Sequence, residues 1–143
     1  MSDLRTFRPG GARIVAYAVG VIMLVLTAVI AFALPDEIYF TTVETITLWI
    51  IIAAVLVLLH GVGRSYVRAG DDGVEVVNGY RKHLVRWDDV EGFAMNSGAP
   101  WPTMVTTDDE RVMLFAIQGS DGSYAREAVA YLRDRVPRRG GRP

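Results

Sequence analysis

The sequence predicts a helical hairpin in a membrane followed by a small α+β domain, and three observations predict it. Residues 14–34, IVAYAVGVIMLVLTAVIAFAL, carry no charged side chain. At a rise of about 1.5 Å per residue such a run reaches roughly 31 Å, close to the ~30 Å hydrocarbon thickness of a bilayer. Residues 45–63, TITLWIIIAAVLVLLHGVG, form a second stretch without a formal charge. From Tyr66 onward the long apolar runs give way to short alternating segments separated by turn residues, and one amphipathic helix comes last.

Composition sharpens the division. The chain has 143 residues, and its 51% hydrophobic content lies mostly before Gly63. From Arg64 to the end the chain forms a domain of roughly 75 residues, enough for one modest core. Lys+Arg number 15 against 16 Asp+Glu, so no basic field points to nucleic acid. There is no cysteine, which excludes disulfides, thiol chemistry and a cysteine zinc site.

In chain order, residues 1–13 read as a disordered cytoplasmic tail with Arg5, Arg8, Arg13 and a Pro9-Gly10-Gly11 breaker. Residues 14–34 follow as the first membrane helix. A cleaved signal peptide is the competing reading, with Ala31-Phe32-Ala33 as its small-x-small site, but the apolar run is longer than the usual ~7–15 residues. Ala12, Ala16 and Gly20 fall four apart on one face, where small residues permit close helix approach; the partner is the second helix or another copy of the chain. Tyr17 and Trp49 suit the two membrane interfaces. The connection holds Asp36, Glu37 and Glu44 and no basic residue, while Arg64 and Arg68 follow the second helix. That asymmetry places both termini in the cytoplasm. His60, near the inner end of the second helix, would be a functional candidate as a buried intramembrane ionisable group, but beside Gly61 and Gly63 at the interface it reads first as a residue in reach of water.

In the soluble part, six strands are predicted: residues 66–69, 74–77, 82–87, 90–95, 102–107 and 111–117. The last, RVMLFAI, is apolar on both faces and is expected to be central or covered. Gly70-Asp71-Asp72-Gly73 and Asn78-Gly79 are turn signals. A helix over residues 123–136 repeats Ala125, Ala128, Val129, Leu132 and Val136 on one face, with Asp121 or Ser123 as its cap. Residues 137–143 form a basic tail with Arg138, Arg139 and Arg142.

The pieces GRSYVRAGDDGVEVVNG, HLVRWDDVEGF, TMVTTDDERVMLF and YAREAVAYLRDRV, placed after two membrane helices, resemble the small actinobacterial membrane proteins that carry a bacterial pleckstrin-homology (PH) domain, the low molecular weight protein antigen 6 family among them. The most specific piece is Arg86-Trp87-Asp88-Asp89-Val90. The resemblance implies a PH-like domain over residues 64–136: a partly open antiparallel β-barrel capped by one C-terminal helix, with the Trp87 ring in the core and the acids at a bend. The superfold has seven strands, and residues 96–101 are where a missing one would lie. The resemblance brings no catalytic residues.

The acidic clusters at Asp71-Asp72, Asp88-Asp89 and Asp108-Asp109-Glu110 read as turn residues before metal ligands or acid pairs, since Asp bonds nearby backbone in turns. No phosphate loop, nucleophile elbow or paired-histidine motif is present in the sequence, so no metal, cofactor or enzymatic reaction is expected. Phosphoinositide-binding PH domains gather cations around the first hairpin, but here that tip is Gly70-Asp71-Asp72-Gly73. Weak, unspecific contacts with anionic headgroups are expected instead from Arg64, Arg68, Arg81 and Lys82. The expected function is a membrane-anchored interaction module that docks a protein at the cytoplasmic face of the inner membrane. The alternative is a small accessory subunit that assembles into a larger membrane complex through its helices.

Overall fold

A computed structural model describes residues 4–137, so Arg138, Arg139 and Arg142 of the expected basic tail lie outside the described residues. The chain opens with a strand, β1 (Arg5–Phe7), followed by two long helices, α1 (Gly10–Ala33) and α2 (Thr42–Arg64). Both helices are long and apolar enough to cross a membrane. Six further strands come after them: β2 (Tyr66–Ala69), β3 (Gly73–Asn78), β4 (Arg81–Arg86), β5 (Val90–Ala94), β6 (Thr103–Thr106) and β7 (Arg111–Met113). Helix α3 (Ser123–Arg135) closes the domain.

The two long helices pack against each other through small residues. Ala16 and Gly20 are buried on α1, and Gly20 faces Leu56 and Leu59 of α2. At Gly63 the Tyr17 ring lies so close that a Cβ would sit 2.6 Å from its Cζ. The small-residue face therefore meets α2 of the same chain. Thr41 caps α2 through a capping box with Glu44, whose carboxylate accepts from the Thr41 amide at 2.8 Å.

The N-terminal segment corrects the expectation of a disordered tail. β1 pairs antiparallel with β2, Arg5 opposite Ala69 and Phe7 opposite Val67. Phe7 is 1% exposed and meets Tyr124 and Tyr131 of α3 edge-on, with ring centroids at 6.3 and 5.7 Å. Three residues carry no readable period, and their partner strand lies beyond the whole hairpin. The seventh strand of the domain is thus β1. Residues 96–101 instead hold a turn closed by the Ala99 amide on the Asn96 carbonyl.

The strands make two open sheets, β1-β2-β3-β4 and β5-β6-β7, in keeping with the partly open arrangement that the resemblance implies; the sheets do not close into a barrel. One core serves both: Val67, Val74 and Val76 from the first, Val90, Phe93 and Met104 from the second, and Ala125, Ala128, Val129 and Leu132 from α3. Between β4 and β5 the chain turns through a single 3-10 turn, Trp87–Asp89. The Trp87 ring is buried in that core, its Nε1 donates to the Gly70 carbonyl at 2.9 Å, and Asp88 and Asp89 stay exposed at the bend.

Two further expectations change. β7 is three residues long and lies at a sheet edge, not at the centre. Beyond Met113 the chain turns, and Leu114, Ala116 and Ile117 drop into the core without continuing the strand, which is why the segment is apolar throughout. The N-cap of α3 is Gly122, with no side-chain cap. Asp121 lies instead beside the first turn of α1, where a Cβ on Gly11 would be 4.0 Å from its Oδ1. An acid is favoured there by the helix dipole.

Candidate functional site

The junction between α2 and the domain is built by a tight hairpin. β3 and β4 are joined by Gly79-Tyr80, with Asn78 opposite Arg81. Gly79 has φ +61, the left-handed value a two-residue hairpin takes most readily with glycine. The turn points its aromatic ring at the helix. The Tyr80 hydroxyl donates to the Val57 carbonyl at 2.7 Å, and the Arg64 guanidinium lies 5.1 Å from the ring centroid. Ser65, the single residue between α2 and β2, donates to the Gly61 carbonyl at 3.0 Å and accepts the Gly79 amide at 2.9 Å. His60 stands in the same cluster, its Nδ1 3.3 Å from the Tyr17 hydroxyl.

The four cations expected to meet headgroups divide into two pairs. Arg64 and Arg81 flank Tyr80 at this junction. Arg68 and Lys82 lie on the outer face of the first sheet around Glu75. Lys82 Nζ is 3.4 Å from the Glu75 carboxylate, and Arg68 stacks 5.2 Å from the Tyr66 ring centroid. The Tyr66 hydroxyl donates to Glu75. That bond raises the Tyr66 phenol above its ordinary value, with burial and the carboxylate's charge adding to it. The same bond holds the Glu75 carboxyl below the usual carboxylate range, against the effect of burial and with help from Lys82 and Arg68.

The sheet edges differ in how they are covered. On β5 the Phe93 carbonyl accepts from Arg133 Nε of α3 at 2.9 Å. On β7 the Asn78 side chain stands in for a neighbouring strand: its Nδ2 donates to the Met113 carbonyl at 2.6 Å and its Oδ1 accepts the Phe115 amide at 3.3 Å. β4 ends the first sheet, and among the described residues no strand pairs with its outer side. With Asn78 and Arg81 closing the hairpin, the amides and carbonyls of Lys82, Leu84 and Arg86 alternate away from β3. This edge is basic, with Arg81, Lys82 and Arg86, and its Leu84 is 74% exposed.

A groove also runs between β5 and α3. Its two compartments, of about 720 and 560 Å³, are lined by Met95, Pro100 and Val129 and by Phe93, Arg133 and Val136. The first hairpin tip stays acidic: Asp71 and Asp72 are exposed, and the Gly70 amide bonds the Gly73 carbonyl at 2.8 Å across it. Among the described residues no three of His, Asp and Glu converge as metal ligands would.

Sequence reasoning found Arg64 and Arg81 but not Ser65, or the use of Tyr80, Trp101 and Phe115. Tyr80 did carry a signal, an aromatic set in a glycine turn. Trp101 and Phe115 lie fourteen residues apart and meet edge to face at 4.9 Å only once β6 and β7 are paired.

The family described as Bacterial PH domain matches residues 64–135, just over half of the 143 residues. No curated protein and no solved structure matches the chain.

Proposed function

Because this chain belongs to the bacterial PH domain family, we propose that it is a membrane-anchored interaction module that docks a protein partner at the cytoplasmic face of the inner membrane. PH domains are generally interaction modules and not enzymes, and the reading assigns this chain no reaction. The observation that carries it is the β4 edge, an open strand with a basic rim beside an exposed Leu84. An extended segment adds to such an edge through main-chain bonds, and Arg81, with Lys82 and Arg86 partly neutralised by Glu75 and Asp88, favours an acidic one. The β5–α3 groove has less support, since Arg133 already holds the Phe93 carbonyl.

The orientation is supported by charge. Arg5, Arg8, Arg13, Arg64 and Arg68 gather at the domain end of the hairpin, and Asp36 and Glu37 at the other. Weak contact with anionic headgroups belongs to Arg64 and Arg81, because Arg68 and Lys82 are partly neutralised by Glu75. The Trp87 turn supports, within the same reading, the narrower kinship with the low molecular weight protein antigen 6 family and an actinobacterial source. Assembly through the helices as an accessory subunit has less support, since Ala16 and Gly20 already pack within the chain.

A photo-crosslinking residue at Lys82 in full-length protein in cells tests the edge. The expected result is one acidic partner captured by the native strand and lost in Leu84→Pro, which removes an outward amide while sparing the β3 ladder. Unchanged capture by a folded Leu84→Pro variant would count against strand addition.

A further inference from the structure

A groove of about 500 Å³ opens where α2 meets the domain. Leu58 and Val62 of α2 form one wall, Trp101, Phe115 and Tyr80 the other, and Arg81 stands at the rim. Its size falls within the roughly 300–1,000 Å³ of small-molecule sites. Trp101 and Phe115 meet edge to face, yet remain 36% and 38% exposed.

The level of this groove along α2 is fixed. Tyr80 bonds to Val57, seven residues before the helix ends at Arg64, which is about 10 Å along the axis. Ser65 alone links α2 to β2, so the domain cannot draw its aromatic wall away from the helix. Leu58 and Val62 are exposed on a helix long and apolar enough to cross a membrane. The two walls are therefore continuous with the surface that such a helix presents to lipid, at the depth where it leaves the hydrocarbon.

We propose that this groove seats a phospholipid of the leaflet beside the domain. An acyl chain lies against Leu58, Val62, Trp101 and Phe115, and the phosphate lies beside Arg64 and Arg81. Continuity with the lipid-facing side of α2 names the occupant. The residue types agree: aromatic rings favour the bilayer interface, and arginine carries its charge to the headgroup level on an apolar stem. The site lies on the α2 side of the β3–β4 turn, away from the acidic first hairpin. It rests on the reading that α1 and α2 cross a membrane, and it is independent of strand addition at β4.

The chain has no cysteine, so single nitroxide labels can be placed at will. The full-length protein would carry one at Phe115, at Asp108 or at Ile51, reconstituted in phosphatidylcholine vesicles containing phosphatidylglycerol. Asp108 lies on the exposed β6–β7 turn, and Ile51 in the middle of α2. Collision with oxygen reports lipid, and collision with a nickel chelate reports water. The expected result is oxygen-favoured collision at 51 and 115 and chelate-favoured collision at 108. A label at 115 as open to the chelate as that at 108 would overturn the proposal. A label at 51 open to the chelate would remove the membrane reading and this site together. In unlabelled protein, phosphatidylglycerol with a diazirine in its acyl chain should attach to the peptides that hold Trp101 and Phe115. Attachment confined to α1 and α2 would also overturn it.

Discussion

The Tyr80 hydroxyl donates to the Val57 carbonyl, joining a β-hairpin tip to a turn of α2 that lies 23 residues earlier. Through this bond and the Ser65 relay the domain is fastened to the hairpin as well as linked to it by the chain. Tyr80→Phe removes the hydroxyl and keeps the ring over Gly61, and should cost about 0.5–1.5 kcal/mol. Ser65→Ala should cost more, since it leaves the Gly79 amide without its partner. Both should speed amide hydrogen exchange over residues 57–65 and 78–81 while the β5–β6 ladder is unaffected. Exchange that does not change at 57–65 would show the fastening to be weak.

Gly63 and Gly20 make a contrast within the helix pair. A methyl at Gly63 meets two Tyr17 ring carbons and the hydroxyl oxygen at 2.6–2.7 Å, whereas one at Gly20 meets the flexible end of Leu56 at 3.3 Å. Gly63→Ala should cost about 1–3 kcal/mol and push α1 from α2, while Gly20→Ala stays near neutral. Thermal denaturation of the two variants in detergent compares them. Equal melting temperatures would refute the packing at Tyr17.

Phe7 sets the boundary of the domain. Phe7→Ala should destabilise it by about 3–5 kcal/mol, as Trp87→Ala should, because each leaves a cavity in the shared core. A fragment that begins at Arg64 lacks β1 altogether. It should melt well below a fragment in which residues 4–8 are joined to Arg64 by a flexible linker. Similar melting of the two fragments would mean that β1 adds little.

The Tyr66–Glu75 pair predicts a pH dependence with a definite sign. Glu75 titrates below its ordinary range in the folded protein, so its contribution is full above the unfolded carboxyl value and is lost as pH falls through the lowered one. Tyr66 is raised, so its contribution is full below the ordinary phenol value and fades as pH rises through the raised one. Tyr66→Phe should move the Glu75 titration upward toward the ordinary value, read by carboxyl NMR, and should flatten the acid limb of stability. An unmoved Glu75 would assign its shift to Lys82 and Arg68.

Topology can be read with single cysteines. Thr41 is unsuitable as a reporter because its hydroxyl accepts the Glu44 amide in the α2 cap. Tyr39 is 81% exposed in the same connection. Tyr39→Cys should react with an impermeant reagent in intact cells, and Asp108→Cys, on the exposed β6–β7 turn, only after lysis. The reverse pattern would invert the proposed orientation.

Local signals determined much of this protein. The apolar runs fix α1 and α2, because a helix of that length without charge has no better place than a membrane or a core. The helical spacing of Ala125, Ala128, Val129 and Leu132 fixes the buried face of α3. The turn residues at 70–73 and 78–79, with alternating apolar positions beside them, fix β2 to β4 and their register. Trp87 was legible through the resemblance carried by Arg86-Trp87-Asp88-Asp89-Val90, which implies an aromatic ring in the core at that bend. Only the tertiary structure decided the rest, since the deciding contacts join residues far apart in sequence. β1 is a strand because β2 offers an edge and α3 a pocket for Phe7. The apolar run after Arg111 ends its strand early because Asn78 occupies the place of the next one. The junction of Tyr80, Trp101 and Phe115 exists because one residue joins α2 to β2, which presses the hairpin tip onto the helix. Periodicity reports which face of an element is buried; it carries no information about which distant element buries it.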